Sequence, residues 1–301
     1  MKILKGAKRR TITRPGAYAD LPETLYHGDP VPETSLSNSG AKKILESPAR
    51  FRHDQLHPPT STRAFNLGRA AHAKALGVGA PTVAVPDDLL SPDGGIRSNA
   101  AKAWVAEHEA AGATVLKRDV VETIDAMAGR LLEHPIAGPL LRQGIPELSL
   151  FGRDADTDVM LRARLDWLTR LRSGRPVIVD YKTAESASPR RFGKTAHDYG
   201  YHMQDRTYRE LADLVLGERD EHAFLFVVQE KTAPYLVSVC ELDDVARDVA
   251  GQANRAARRL YVECMTSGVW PGYAPVVHPI SLPAYAGNDL PVIGELGDEA
   301  A

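Results

Sequence analysis

Asp180 and Lys182 close an apolar run, Val177-Ile-Val-Asp-Tyr-Lys-Thr. Three consecutive β-branched residues predict a strand buried on both faces. Side chains alternate along a strand, so Asp180 and Lys182 share a face. Charged groups at the mouth of a buried strand are costly unless paired or metal-bound. Asp166 ends an earlier alternating stretch, Leu161 to Trp167, and a turn at Ser173–Pro176 follows it. The two strands can then pair antiparallel and bring Asp166 near Asp180. Close carboxylates repel unless a cation lies between them. Mg²⁺ is the expected ion because it takes oxygen ligands, with Mn²⁺ as substitute. Such an ion polarises a phosphodiester and acidifies a bound water. Lys182 would orient that water or offset charge building on the phosphate. Asp-x-Lys alone is common, and a surface ion pair with an unrelated Asp166 is the plain alternative.

Other residues extend the set. His72, on a helix with small residues at Ala70, Ala71, Ala73 and Ala75, offers a nitrogen ligand or a structural imidazole. Glu147 starts a strand just before that of Asp166, as an edge residue or a further carboxylate. Tyr201, Gln204 and Tyr208 fall on one helical face. The tyrosines suit a core, whereas Gln204 suits a phosphate or the attacking water. Arg162 and Arg164 share the face of Asp166 by alternation and have the fork geometry that binds phosphate oxygens.

These positions need a sheet with helices around it. Ser35 or Ser37 caps a helix through Glu46, and Ser47-Pro48 starts another that carries Phe51. Further helices are predicted over 65–76, 98–111, 118–133, 198–216 (capped by Asp198) and from Asp243 or Asp244 to Thr266. Strands are predicted over 82–85, 147–152, 161–167, 177–183, and as a hairpin over 222–229 and 235–242. The class is α+β: a restriction-endonuclease-like α/β core with a central mixed sheet, flanking helices and a helical N-terminal part. Residues 1–24 read as a flexible basic lead-in, 25–275 as one domain, and 276–301 as an irregular tail.

The 301 residues carry a net charge of −2, so any nucleic-acid surface must be local. Lys2, Lys5, Lys8, Arg9, Arg10 and Arg14 form a basic cluster with no acid among the first fourteen residues. It serves as a solvated tail or as an arm on DNA. Cys240 and Cys264, with no CxxC pair, support neither a zinc site nor an iron–sulfur cluster. No apolar run of membrane-spanning length occurs, and a soluble cytoplasmic protein is expected.

Gly68-x-x-x-His72, Glu147, Arg-x-Arg-x-Asp166-Trp, Asp180-x-Lys182-Thr and Gln204-x-x-x-Tyr208 occur in the order found in RecB-type PD-(D/E)XK nucleases. Together with Leu36-x-x-Ser-Gly-Ala-Lys-Lys-Ile-Leu-x-Ser-Pro-Ala-x-Phe and Gly268-Val-Trp-Pro-Gly-Tyr, the chain resembles RecE-type exonucleases (exodeoxyribonuclease VIII) and their phage and prophage relatives over residues 25–285. The resemblance implies a divalent metal on His72, Asp166 and Asp180 with Glu147 nearby. It implies Lys182 as catalytic lysine, Gln204 and Tyr208 after the core, and DNA contacts from Arg69, Arg162, Arg164, Tyr201, Gln204 and Tyr208. It also implies 5′–3′ digestion of linear duplex from its ends in a bacterial host. The 3′ tails left would pass to a single-strand annealing protein, and a homo-oligomeric ring is a further implication. Relatives often show Pro-Asp where this chain has Leu165-Asp166. An endonuclease, a single-strand exonuclease and a non-catalytic DNA-binding module are the alternatives.

Overall fold

In the computed structural model, residues 3–6, 11–57, 67–78, 81–217 and 222–282 are described. The chain opens with β1 (Leu4–Lys5), β2 (Gly16–Ala19), α1 (Glu23–His27), β3 (Leu36–Ser37), α2 (Asn38–Glu46), α3 (Pro48–Leu56) and α4 (Leu67–Leu76). An excursion follows through β4 (Thr82–Ala84), α5 (Asn99–Ala110) and β5 (Thr114–Leu116), then α6 (Arg118–Glu133) and α7 (Ala137–Leu141). The meander is β6 (Ile145–Arg153), β7 (Met160–Arg170) and β8 (Pro176–Ala184). It leads to α8 (Pro189–Asp198), α9 (Tyr201–Leu216), β9 (Ala223–Glu230), β10 (Val237–Cys240) and α10 (Asp244–Ser267).

The mixed sheet runs β1-β2-β6-β7-β8-β9-β10. β6, β7 and β8 are antiparallel neighbours, as short turns require, while β8 and β9 are parallel across the α8–α9 crossover. Val177, Ile178 and Val179 are fully buried, as three β-branched residues in a row predict. One face packs under α9 and α10 through Leu148, Leu161, Leu165, Phe224 and Phe226. The other packs under α4, α6 and α7 through Trp167, Val177, Val179 and Val227. A third cluster, with Ile12, Tyr18, Tyr26 and Phe151, seats the N-terminal segment.

Two irregularities position the site. β7 pairs with β8 only over Trp167↔Val179 to Arg170↔Pro176, so the strands part at Asp166 and Asp180. Beyond that fork β3 runs beside β7 (Leu36↔Leu161), and β8 continues against β9 alone. The β6–β7 ladder also skips a rung between Leu148↔Leu165 and Pro146↔Trp167, where Glu147 faces Asp166. Glu147 has φ +51°, a left-handed conformation that strains a residue with a Cβ. Strand alternation slips there: Leu161, Ala163 and Leu165 enter one core, but Trp167 enters the other.

Ser37, Ser47, Ser98 and Asp243 cap helices as their side chains predict. Residues 11–24 differ from the expected loose lead-in: β2 pairs with β6, and Ile12, Tyr18 and Leu21 are buried. The apolar residues of that segment draw it onto the sheet. The helix expected over 198–216 begins at Tyr201, and Asp198 ends the preceding helix instead of capping this one. Gly200, at φ +65°, breaks between them. Residues 2 and 8–10 of the basic cluster, the linker at 58–63 and the start of the helix expected from 65 lie outside the described residues, as does most of the tail.

Candidate active site

The fork is lined from both faces of the sheet. β6 supplies Glu147, β7 Asp166, β8 Asp180 and Lys182, α4 His72 and α9 Gln204. His72, Glu147, Asp166, Lys182, Gln204, Tyr201 and Tyr208 line one cleft of about 860 Å³. Asp180 lies beneath it with 1% of its side chain exposed.

His72 Nε2 lies 3.0 Å from Asp166 Oδ2, and His72 Nδ1 lies 3.9 Å from Glu147 Oε1. One donor atom from each of these three residues falls within 4.8 Å of the others. The Asp166 Oδ2 also accepts the Tyr181 backbone N–H at 3.0 Å. That bond fixes the carboxylate where the β7–β8 ladder stops. Asp180 is engaged differently. Its Oδ2 lies 2.5 Å from Lys182 Nζ, and its Oδ1 accepts from Gln204 Nε2 at 2.5 Å. The Lys182 ammonium also sits 4.8 Å from the centre of the Tyr201 ring.

Electrostatics separate the two aspartates. Burial pushes the Asp180 carboxyl up to about 6, against the pull of Lys182 and with a further push from Asp166. Burial would also raise Asp166, but the bond to His72, the charges of His72 and Lys182 and the Tyr181 N–H outweigh it, so its carboxyl sits below the usual range. Burial would lower His72, yet Asp166, with Glu147 and Asp180 behind it, holds the imidazole above its ordinary value. Lys182 is held above its ordinary value because Asp180 and Asp166 outweigh its burial.

The expected set is therefore brought together in two groups. His72, Asp166 and Glu147 form the donor group. Asp180, expected among the ligands, turns instead to Lys182 and Gln204. The expected arginine pair is engaged within the protein. Arg162 binds Asp29 at 2.5 Å and Ser35 Oγ at 2.7 Å. Arg164 pairs with Glu147 and donates to Leu21 O and Ser149 Oγ. Both guanidiniums sit over the Tyr26 ring. Internal acids and carbonyls occupy them, while Arg164 and Asp166 line the same cleft. Arg69 lies on α4, but its side chain is outside the described residues. Sequence reasoning missed Asp20, Glu23, Tyr26 and His27, which form a further wall of the cleft. Only the fold of the N-terminal segment brings them there.

The family described as a PDDEXK-like domain of unknown function (DUF3799) matches residues 37–278. This chain belongs to that family. A candidate exonuclease from Eubacterium rectale is similar in structure, with TM-score 0.53 at 11% identity over 86% of this chain and 93% of the other. That similarity extends the PDDEXK-like assignment to a shared fold. A second solved protein, SSO0001, matches over 66% of this chain and 85% of its own at 14% identity, with a TM-score of 0.29. No curated protein matches.

A divalent cation, as PDDEXK-like enzymes typically use, fits the donor group. His72, Glu147 and Asp166 would hold it, each offering one donor atom within 4.8 Å of the others. One nitrogen with carboxylate oxygens is a donor set for a hard or borderline divalent ion. Among the described residues no helix is long and apolar enough to cross a membrane.

Proposed function

We propose that this protein is a metal-dependent deoxyribonuclease that degrades linear duplex DNA from an end. One observation carries the reading: a His72–Glu147–Asp166 donor group stands beside a buried Asp180–Lys182 pair at a sheet fork. His72, Glu147 and Asp166 would hold the ion. When bound, it supplies Lewis-acid polarisation of the phosphodiester and a more acidic water. Asp180 keeps Lys182 charged and in place, and Gln204 fixes the second oxygen of Asp180. The Lys182 ammonium offsets negative charge on the phosphate as the bond to the leaving oxygen breaks. Its position against the Tyr201 ring limits its rotamers. The finer reading is 5′–3′ digestion that leaves 3′ tails for phage recombination, and it rests on the resemblance to RecE-type enzymes.

End-labelled linear duplex, closed-circular duplex and single strands, each with Mn²⁺ or Mg²⁺, test it. Loss of label from one end of the linear duplex, with circles spared and Lys182→Ala inactive, is the expected result. Cutting of circles would make it an endonuclease, and intact linear duplex would defeat the proposal.

A further inference from the structure

The Ser39-Gly-Ala-Lys-Lys-Ile-Leu stretch of α2 has no role in the site described above. Lys42 gives it one. Its side chain crosses from α2 to the corner between α8 and α9, where the ammonium donates to the carbonyl of Tyr199. Tyr199 is the C-cap of α8, so this carbonyl has no helical partner and carries the negative end of the helix dipole. The Lys42 stem lies across Gly200, and a Cβ there would run into Lys42 Cδ and Cγ. Gly200 also has φ +65°, so the corner needs glycine for conformation as well as for space.

The next residue is Tyr201, which opens α9. Within its first turn this helix presents the Tyr201 ring to Lys182 and the Gln204 amide to Asp180. A corner one residue earlier sets the helix's start and rotation, and thus both contacts. Among the described residues no acid pairs with Lys42. Burial, and then the nearby Lys182 ammonium, depress its pKa. The fold brings a second cation toward the first and holds it with a neutral carbonyl.

We propose that Lys42 is a positioning residue for Lys182: it pins the Tyr199–Gly200 corner and thereby holds Tyr201 and Gln204 against the Asp180–Lys182 pair. The proposal rests on the nuclease reading of the site, and its test separates the two. Wild type, Lys182→Met, Lys42→Met and Lys42→Arg are assayed on end-labelled linear duplex with Mn²⁺. The Gln204 side-chain amide is followed by NMR in the same proteins without DNA. Lys42→Met should lower kcat by about ten- to a hundred-fold with KM nearly unchanged, the range for a small misplacement of reacting groups. It should also shift the Gln204 amide resonance, and Lys42→Arg should restore both. A kcat within twofold of wild type, or a rise in KM alone, overturns the proposal. No cutting by wild type defeats the nuclease reading instead. The Gln204 resonance then decides on Lys42: a shift in Lys42→Met supports its positioning role, and an unmoved resonance overturns it. If Lys42→Met does not fold, Lys42→Gln, a polar but shorter side chain that gives up the ammonium on the Tyr199 carbonyl, replaces it. Equal loss of kcat supports the proposal, and a wild-type rate overturns it.

Discussion

Asp166 and Asp180 are the first residues beyond the paired part of β7 and β8, yet one bond still crosses there, from a side chain. The Asp166 Oδ2 accepts the Tyr181 N–H at 3.0 Å, one step past the last backbone rung at Trp167↔Val179. One carboxylate thus serves the sheet and the donor group together.

Substitutions at Asp166 should separate those duties. Asn keeps an acceptor for the Tyr181 N–H, whereas Ala leaves it unpaired at a cost of about 1–3 kcal/mol. Asp166→Asn should retain most of the metal-free stability and lose metal binding. Asp166→Ala should lose both. Urea unfolding and titration calorimetry with Mn²⁺ check the pair.

Metal affinity should depend on pH through His72. A ligating imidazole must be neutral, and Asp166 holds this one above its ordinary value of 6.5. Affinity should fall as pH drops through that raised value, with release of a proton on binding that varies with buffer ionisation heat. In the metal-free protein the sign is opposite. Stability from the protonated ring is complete below about 6.5 and is lost as pH rises through the folded value. His72→Gln should flatten both dependences.

Glu147→Gly and Glu147→Ala both remove the carboxylate, so they differ only in backbone freedom. In an ordinary strand glycine is the worse residue by roughly 0.5–1 kcal/mol. At φ +51° the order should invert, with the glycine variant more stable by about 1 kcal/mol. Denaturant midpoints without metal measure the difference. A more stable alanine variant would mean that Glu147 is not strained.

Lys182→Met should abolish most activity, by about a hundredfold or more as for loss of a charge-stabilising donor. It should also raise the Asp180 carboxyl beyond its present value of about 6, because Lys182 is the main group opposing burial. Carbon-detected NMR titration of Asp180 reads that shift independently of turnover.

The meander was legible because its signals are local. The apolar triplet Val177–Val179, the alternation through Leu165 and the turn at Ser173–Pro176 fix three strands and bring Asp166 to Asp180. Cap residues at Ser37, Ser47, Ser98 and Asp243 mark helix starts without tertiary information. The slip at Glu147 and Asp166 was not legible. Strict alternation puts Leu161, Ala163, Leu165 and Trp167 on one face, and no local residue announces that the phase changes. The partners of the arginines were equally hidden, since Asp29, Ser35 and Leu21 reach them only after the N-terminal segment docks. Gly200 carried a usable signal as a break before Tyr201, but Asp198 two residues earlier imitated a cap.

The fork divides the sheet into two leaves. The donor group spans the fork: Glu147 and Asp166 stand on β6 and β7, whereas His72 comes from α4, which packs on β8, the strand of Lys182. An ion on His72, Glu147 and Asp166 would therefore tie the two leaves together across the seam. A phosphate held between the ion and Lys182 would add a second clasp. Hydrogen exchange at the Tyr181 amide, which spans the seam, should already slow strongly with metal alone and slow further once a nucleic-acid end is seated.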